Sequence, residues 1–264
     1  MKESLKNIFF KIWYWYVSTI DTNADVTFMN YGYSKDDHKI KMDEVDEQNR
    51  YSVQLYDLVA RGTDINNKDI VEIGCGRGGG ISYINRCFSP GSSTGLDLNN
   101  KAIEFCKEHY SNEGINFVQG DARSLPCPDD TFDVVINVES SHRYQHIDRF
   151  FSEVHRVLRP GGFFLFADFR PKNKLGQLQQ QLADSKFKIV KNDMITKQVL
   201  EALKLSSNKR EELIHMLTPK LLQSLGEKFA ATEGTPTYNK FASREFEYFF
   251  YVVTHKFVDS KGEK

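Results

Sequence analysis

Short runs of β-branched and aromatic residues alternate with longer helical patterns between residues 70 and 170, and this alternation leaves few folds open to the chain. Strands are predicted at residues 70–73, 93–96, 115–118, 132–136 and 163–166. The clearest helical pattern runs from Ile147 to Leu158, and Pro160-Gly161-Gly162 is expected to stop it. Strands joined by helices in this order form right-handed crossovers and a parallel sheet covered on both faces.

The remaining segments are predicted to surround this core, which spans residues 67–170. Residues 1–66 are expected to form an N-terminal lid with helices, and residues 171–240 a late helical cap. The cap is predicted to contain helices at residues 177–181 and 197–225 and an edge strand at 187–190. Residues 241–264 are predicted to supply a closing strand, at 246–253, and a tail.

Residues 8–17, IFFKIWYWYV, form an apolar and aromatic run near the N-terminus. The run is too short to span a bilayer and is interrupted by Lys11. It also lacks the small-residue cleavage site of a secretory signal. Two interpretations remain: a helix packed on the body of the protein, or a helix that lies on a membrane surface, flanked by Lys2, Lys6 and Lys11.

The strongest local signal is a predicted strand that runs into closely spaced glycines, VEIGCGRGGG at residues 71–80. Such a segment makes a tight turn at which a ligand can approach the backbone closely. Gly74, Gly76 and Gly79 also satisfy the G-x-G-x-x-G dinucleotide pattern. Glu72, two residues before the first glycine, argues against a pyrophosphate and favours a positively charged ligand.

Acidic residues recur where the predicted strands end. Asp97 follows the second strand, where a carboxylate meets ribose hydroxyls in folds of this class, and Asp121 follows the third strand, where it can meet an adenine amino group. Each acid also has a structural explanation, as a buried partner of the lid, a residue at a helix N-terminus or a turn residue. Their placement at three successive strands favours a binding site.

The motifs VEIGCGRGGG, GLDL, QGDA, FDVVINVESSH and RVLRPGG together resemble those of class I S-adenosylmethionine-dependent methyltransferases. The chain more closely resembles the phthiotriol/phenolphthiotriol dimycocerosate O-methyltransferases, and the resemblance covers residues 28–170 well. It implies a Rossmann-like, open, mostly parallel α/β sheet of seven strands with an antiparallel last strand. It also implies that residues 67–170 bind S-adenosylmethionine.

The resemblance assigns cofactor-binding roles to particular positions. Those matching the loop around the methionine part of the cofactor are Glu72, Gly74, Cys75, Gly76 and Gly78. Those matching the ribose and adenine sites are Asp97, Leu98, Asp121 and Ala122. Asn137 matches the position whose backbone lies near the methionine amino group. Tyr31 and Tyr33 resemble lid aromatics that close over the sulfonium, where a ring face stabilises a cation.

Methyl transfer to an alcohol requires removal of a proton, so a positioned base is expected. The candidates are Glu139, His142 and His146 after the fourth strand and Asp168 after the fifth. His142 is the preferred base because its unperturbed pKa is near working pH, and Asp168 would orient it, as in related sugar O-methyltransferases. Alternatively, His142 packs against the adenine loop and Asp168 caps a turn.

Charge balance, cysteine content and histidine spacing limit the partners, the compartment and the cofactors expected for the protein. The near balance of 35 basic and 36 acidic residues argues against nucleic acid as a partner. The four dispersed cysteines predict a reduced, cytoplasmic chain, with membrane association as the alternative that residues 8–17 leave open. His142 and His146 are four residues apart, but Glu139 does not lie between them, so no metal site is predicted.

The expected activity is O-methylation of a hydroxyl on a lipid-like or polyketide-like small molecule. Methylation of nitrogen or carbon is the alternative within the same class. A nicotinamide-dependent oxidoreductase and a catalytically silent cofactor-binding fold are the alternatives from other classes. The acceptor itself and the oligomeric state are not encoded in any motif of the sequence.

Overall fold

The structure is a computed structural model that describes residues 16, 19–21, 23–35, 40–220 and 223–255. Apart from Tyr16, the apolar run at residues 8–17 lies outside the described residues. Its two interpretations, a helix packed on the protein and a helix on a membrane surface, therefore concern residues that the structure does not describe. The strands are β1 (Asp69–Ile73), β2 (Ser92–Asp97), β3 (Asn116–Gln119), β4 (Phe132–Val138), β5 (Leu158–Pro171), β6 (Phe187–Met194) and β7 (Phe246–His255).

The described helices precede, connect and follow these strands. Before and within the first half of the sheet they are α1 (Glu44–Glu47), α2 (Arg50–Ala60), α3 (Gly79–Phe88), α4 (Asn100–His109) and α5 (Ile147–Val157). Later in the chain they are α6 (Leu175–Asp184), α7 (Thr196–Leu205), α8 (Ser207–Leu217), α9 (Gln223–Ala230) and α10 (Pro236–Ala242). Single 3₁₀ turns occur at Ser141–Arg143 and Lys172–Lys174.

The seven strands form one sheet in the order β3-β2-β1-β4-β5-β7-β6, which confirms the predicted fold class. The pairs from β3 through to β5 are parallel, and β7 runs antiparallel to both β5 and β6. The strand predicted at 187–190 lies at the sheet edge as expected, and the closing strand inserts between it and β5. The carboxyl ends of β1, β2, β4 and β5 therefore meet along one edge of the sheet.

Both faces of the sheet are buried, and residues adjacent in a strand pack into different cores. Ile70 belongs to the core covered by α2, α3, α4, α7 and α10, whereas Val71 belongs to the core covered by α5 and α6. This alternation follows from the two-residue period of a strand. The apolar residues Ile70, Val71 and Ile73 of β1 suit this position because neither face of the sheet meets water.

Three predicted helices differ in length from those observed. The helix predicted at 177–181 runs from Leu175 to Asp184. The helix from Ile147 ends at Val157, three residues before the expected Pro160 stop, because Leu158 already pairs with Phe132 in the sheet. The helical stretch predicted at 197–225 is divided into α7, α8 and the start of α9. Pro219 explains the second break, since the residue before a proline avoids the helical region, and Thr218 is extended.

A buried ion pair joins Asp21 to Arg77 in the glycine-rich turn. The Arg77 guanidinium lies 3.0 Å from the Asp21 carboxylate and donates to the Asp21 carbonyl oxygen at 2.7 Å. The Asp21 carboxylate also accepts the backbone N–H groups of Asp25 and Val26 at 2.9 and 2.8 Å. Arg77 stacks over the Phe105 ring at 3.7 Å. These contacts connect residues 23–35, called the N-terminal segment below, to the turn after β1 through Asp21.

We expect Asp21→Ala to reduce the free energy of unfolding by about 3–5 kcal/mol, because the substitution leaves the Arg77 charge buried without its carboxylate. Chemical denaturation of both proteins measures this difference. Asp25→Ala is the matched control: its side chain is exposed, so its effect should stay within about 0.5 kcal/mol. Equal losses in the two variants would contradict a structural role for the ion pair.

Candidate active site

A cavity of about 320 Å³ opens at the carboxyl edge of the sheet, at the ends of β1, β2 and β4. One side is formed by the glycine-rich turn, the other by the loop after β4, and residues 27–31 of the N-terminal segment lie across it. The predicted site residues that line it are Tyr31, Gly74, Cys75, Gly76, Asp97, Leu98, Asp121, Ala122, Glu139 and His142. The glycine-rich turn, Asp97, Asp121, Glu139 and His142 therefore share one cavity, whereas the candidate bases His146 and Asp168 are not part of its lining.

The turn after β1 depends on glycine at its first position. Gly74 has a φ of +78°, and a Cβ there would lie 2.4 Å from the Ser140 hydroxyl oxygen. Any other residue would therefore be strained and would collide with the loop after β4. The Gly74 and Cys75 N–H groups donate to the Leu96 carbonyl at 2.7 and 3.0 Å, which fixes the turn against the end of β2.

Asp97 lies at the end of β2, and its carboxylate faces the cavity from a nearly buried position, 9% exposed. One carboxylate oxygen accepts the Gly76 N–H at 3.0 Å, and the other accepts the Asn99 N–H at 2.8 Å. The carboxylate is thus held in place by the glycine-rich turn. Leu98, the next residue, is 52% exposed and supplies an apolar edge to the cavity.

Asp121 lies just after β3 and also lines the cavity, beside Ala122. Its carboxylate is bound by the Arg123 side chain, with nitrogen–oxygen distances of 2.9 Å and 2.6 Å. Both side chains are about one-third exposed, so solvent weakens this ion pair. A ligand that contacts Asp121 would share the carboxylate with Arg123.

The structure places Glu72 behind the glycine-rich turn, where it does not contribute to the cavity lining. Its side chain is fully buried and accepts a hydrogen bond from the Tyr56 hydroxyl at 2.7 Å. Burial raises the pKa of Glu72 to about 8, although the hydrogen bond from Tyr56 opposes the rise. A carboxyl with this pKa is largely protonated at neutral pH and supports the turn as a neutral group.

Three other predicted cofactor-binding residues also lie outside the cavity lining: Gly78, Asn137 and Tyr33. Gly78 is the N-cap of α3, and Tyr33 is buried, with its N–H donating to the Tyr51 carbonyl at 2.9 Å. The Asn137 amide donates to the Ile73 carbonyl and the Ser140 hydroxyl, both at 2.7 Å. Asn137 thereby joins the loop after β4 to the end of β1.

His142 and Asp168, predicted as a pair, are in direct contact. The His142 Nδ1 atom donates to the Asp168 carboxylate at 2.8 Å, because an ionised carboxylate can only accept. His142 Nε2 accepts from Arg143 at 3.1 Å, and the imidazole packs on Phe169 with ring centroids 4.3 Å apart. His142 therefore packs against β5, and its ring contacts Phe169.

The electrostatics of the pair keep His142 neutral and Asp168 charged. Burial lowers the pKa of His142 below its ordinary value, although Asp168 opposes the change. Burial alone would raise the pKa of Asp168, but the nearby His142 and Arg170 outweigh it and hold the pKa well below the usual range. Asp168 is fully buried and also accepts from the Ser141 hydroxyl and the His142 N–H, at 2.6 and 2.9 Å.

Glu139 occupies a strained position at the end of β4, with a φ of +47°. Its carboxyl accepts the Tyr31 N–H at 2.7 Å and the Tyr248 hydroxyl at 2.9 Å. Burial raises the pKa of Glu139 to about 8, and the hydrogen bonds from Tyr31 and Tyr248 oppose this rise. Strained residues are typical of functional sites, and this one connects the cavity to the N-terminal segment.

For several residues that line the cavity, no motif in the sequence predicts this position. Tyr56, Ser140 and Tyr144 line the cavity with hydroxyl groups, and Arg143 lies beside His142. Tyr56 belongs to an ordinary amphipathic helix, and Tyr248, which supports Glu139, belongs to the last strand. A single sequence does not show which aromatic residue of a helix or strand will face a loop from another element.

Within the part of the chain that the structure describes, no group of three or more His, Cys, Asp or Glu side chains is arranged to hold a metal ion. In the same residues, no helix combines the length and the hydrophobicity needed to span a membrane.

Residues 71–166 match the family model described as a methyltransferase domain. The chain is 42% identical over 220 residues to a fatty-acid O-methyltransferase of Mycolicibacterium smegmatis, which covers 83% of this chain and 80% of the relative. It is 38% identical over 248 residues to a phthiotriol/phenolphthiotriol dimycocerosates methyltransferase of Mycobacterium tuberculosis, covering 92% of each. The chain belongs to the S-adenosylmethionine-dependent methyltransferases. The predicted family is confirmed, and the oxidoreductase alternative is not favoured.

Solved structures show the same fold as this methyltransferase. The [4+2]-cyclase SpnF matches with a TM-score of 0.70 at 20% identity, covering 91% of this chain and 92% of that chain. A geranyl diphosphate methyltransferase in complex with S-adenosylmethionine matches with a TM-score of 0.64 at 18% identity, covering 86% and 98%.

The methyltransferase uses S-adenosylmethionine, and the residues around the cavity fit this cofactor. The turn at Gly74 presents backbone to the cavity where a Cβ would fill the space, and Asp97 supplies a fixed hydrogen-bond acceptor for hydroxyl groups. When bound, the cofactor supplies an electrophilic methyl group on a sulfonium.

Glu72 gives the methyltransferase a predictable pH dependence. A buried carboxyl with a pKa near 8 binds its proton more tightly in the folded state than in the unfolded state, so stability falls as pH rises from about 4.5 to 8. We expect Glu72→Gln to remove part of this loss. Across that interval, its free energy of unfolding should fall by on the order of 2 kcal/mol less than that of the wild type. Denaturant unfolding at the two ends of the interval measures it. Parallel pH profiles would contradict the assignment.

Proposed function

We propose that this methyltransferase transfers the methyl group of S-adenosylmethionine to a hydroxyl oxygen of an apolar, lipid-like or polyketide-like small molecule. The observation that carries this proposal is the hydrogen bond of 2.8 Å between His142, which lines the cavity, and Asp168. A hydroxyl acceptor needs a base, and this pair has the form of one.

The tautomer of His142 suits it to this role. Because Nδ1 carries the hydrogen bonded to Asp168, Nε2 has the free lone pair and can accept the proton of an acceptor hydroxyl. That hydroxyl would replace Arg143 as the partner of Nε2. Burial keeps the imidazole unprotonated before reaction, and Asp168 stabilises the imidazolium that forms. Glu139, which is buried and largely protonated at neutral pH, would position the acceptor.

The proposed cofactor roles follow from the position of each residue around the cavity. Asp97 and Leu98 would hold the ribose, and Asp121 and Ala122 would border the adenine. The turn at Gly74, Cys75, Gly76 and Gly78 would surround the methionine part, with Glu72 and Asn137 supporting it from behind. Tyr31, which lines the cavity, and Tyr33, which lies beside it in sequence, would keep water from the reacting atoms.

The apolar character of the acceptor rests on two observations. The named relatives act on fatty acids and on phthiotriol or phenolphthiotriol dimycocerosates. In this chain, Phe28, Met29 and Tyr31 extend over the cavity from the N-terminal segment and provide an apolar surface for such a molecule.

The cofactor assignment predicts selective binding. In calorimetric titrations, S-adenosylhomocysteine should bind, and NAD and NADP should not. Asp97→Asn should weaken S-adenosylhomocysteine binding by about tenfold or more, since charge-assisted hydrogen bonds contribute about 1.5–3 kcal/mol. Asp184→Asn, an exposed change on α6, should leave the affinity unchanged. Identical affinities in the two variants would contradict the ribose role of Asp97.

The acceptor assignment is tested by product identification. The protein is incubated with methyl-labelled S-adenosylmethionine and a fractionated lipid extract, and we expect a labelled methyl ether. His142→Ala should lower kcat by about 10²-fold or more with little change in S-adenosylhomocysteine affinity. A labelled amine or carbon product, formed at nearly the wild-type rate by the variant, would instead establish the N- or C-methylation alternative, because a neutral amine needs no base.

A further inference from the structure

A second cavity, of about 360 Å³, lies on the opposite side of the N-terminal segment from the first. Its walls are residues 26–31, the junction of α1 and α2 at residues 47–52, and helices α8 and α9. Its size is within the range of cavities that bind small molecules. None of the roles proposed above uses it.

The interior of this second cavity is lined mainly by apolar side chains. Val26 and Phe28 contribute from the N-terminal segment, and Leu213, Ile214 and Leu217 contribute from α8. Polar groups lie at the α1–α2 end, where Lys209 donates a hydrogen bond to the Gln48 carbonyl oxygen, and at the shared wall, where Asn30 and Arg210 line the cavity. An apolar space with a polar rim is suited to an alkyl chain and not to a second nucleotide.

The two cavities share one wall. Phe28, Met29, Asn30 and Tyr31 line both of them, so only the width of this segment separates the cofactor cavity from the second cavity. Arg210 holds the segment from the cap side by donating to the Asn30 and Tyr31 carbonyls at 3.0 and 3.1 Å. A chain that leaves the first cavity past this segment meets the second cavity directly.

The shared wall contains a buried polar atom without a hydrogen-bond partner among the described residues. Asn30 is only 5% exposed, and its side-chain nitrogen donates to the Ser52 carbonyl at 3.4 Å. Its Oδ1 atom has no hydrogen-bond partner among the described residues. A buried acceptor without a donor is costly, and this one is closed off from both cavities.

We propose that the second cavity binds the alkyl chain of the methyl acceptor, which would enter it past the wall that the two cavities share. The proposal rests on the function proposed above, because it takes the acceptor to be a hydroxylated apolar molecule. A volume of about 360 Å³ corresponds to roughly twelve water molecules, and thus to a chain of about ten methylene groups. Longer chains would extend past the polar rim near Lys209.

Calorimetric titration with a series of primary alcohols tests the assignment. Butanol, hexanol, octanol and decanol are titrated into the full-length protein saturated with S-adenosylhomocysteine. Affinity should rise by about fourfold for each methylene buried. Leu213→Trp fills the cavity and should weaken decanol binding by tenfold or more, with little effect on butanol or on S-adenosylhomocysteine.

Met216→Trp is the matched control, since Met216 is on the same helix, 60% exposed and outside the cavity lining. It should bind decanol like the wild type. If Leu213→Trp folds poorly, Leu213→Ala supplies the opposite test: a larger cavity should increase the preference for dodecanol over decanol. The same preference in Leu213→Ala and the wild type would overturn the proposal.

The outcomes separate this site from the proposed reaction. An affinity that does not depend on the length of the alcohol would overturn the proposed alkyl-chain site, even if alcohols are methylated. That result is expected if another segment of the protein fills the cavity. If decanol binds with the expected dependence and Leu213→Trp abolishes it, the chain site stands even when no methyl ether forms, and only the hydroxyl acceptor is refuted.

Discussion

Two buried carboxyl groups at the carboxyl edge of the sheet determine how the loops around the cavity are arranged. Asp168 remains charged in the interior, and a buried charge persists only where enough donors surround it. It is therefore bound to His142, Ser141 and the Arg170 guanidinium, the last at 3.1 Å. This set of contacts attaches the loop after β4 to the end of β5 and orients the imidazole toward the cavity.

Glu139 makes the corresponding connection to the N-terminal segment, and burial leaves this carboxyl neutral at pH 7. Its partners are the Tyr31 backbone and the Tyr248 hydroxyl, which come from opposite ends of the chain. Together with Arg210 and the buried Asp21–Arg77 pair, these contacts hold residues 27–31 across the cofactor cavity. The segment thus closes one cavity and forms a wall of the second.

Much of the fold could be predicted because its local signals are strong. The alternation of strand and helix patterns predicted the parallel sheet, and the glycines after β1 predicted its sharpest turn. The break of the cap at Thr218 could also have been inferred from Pro219, since a residue before proline rarely continues a helix. The end of α5 at Val157 could not, because it depends on Leu158 pairing with Phe132.

The sequence by itself determined the family, the fold class and the acids at the ends of β2 and β3, because motifs and periodicity are properties of neighbouring residues. Tertiary structure alone decided that Glu72 lies behind the turn against Tyr56, and that Asn30 lies between two cavities. Those environments are built by residues far apart in the chain. A residue becomes buried only when distant elements pack together. That packing sets the pKa of a carboxyl such as Glu72 and forms the cavities on either side of Asn30.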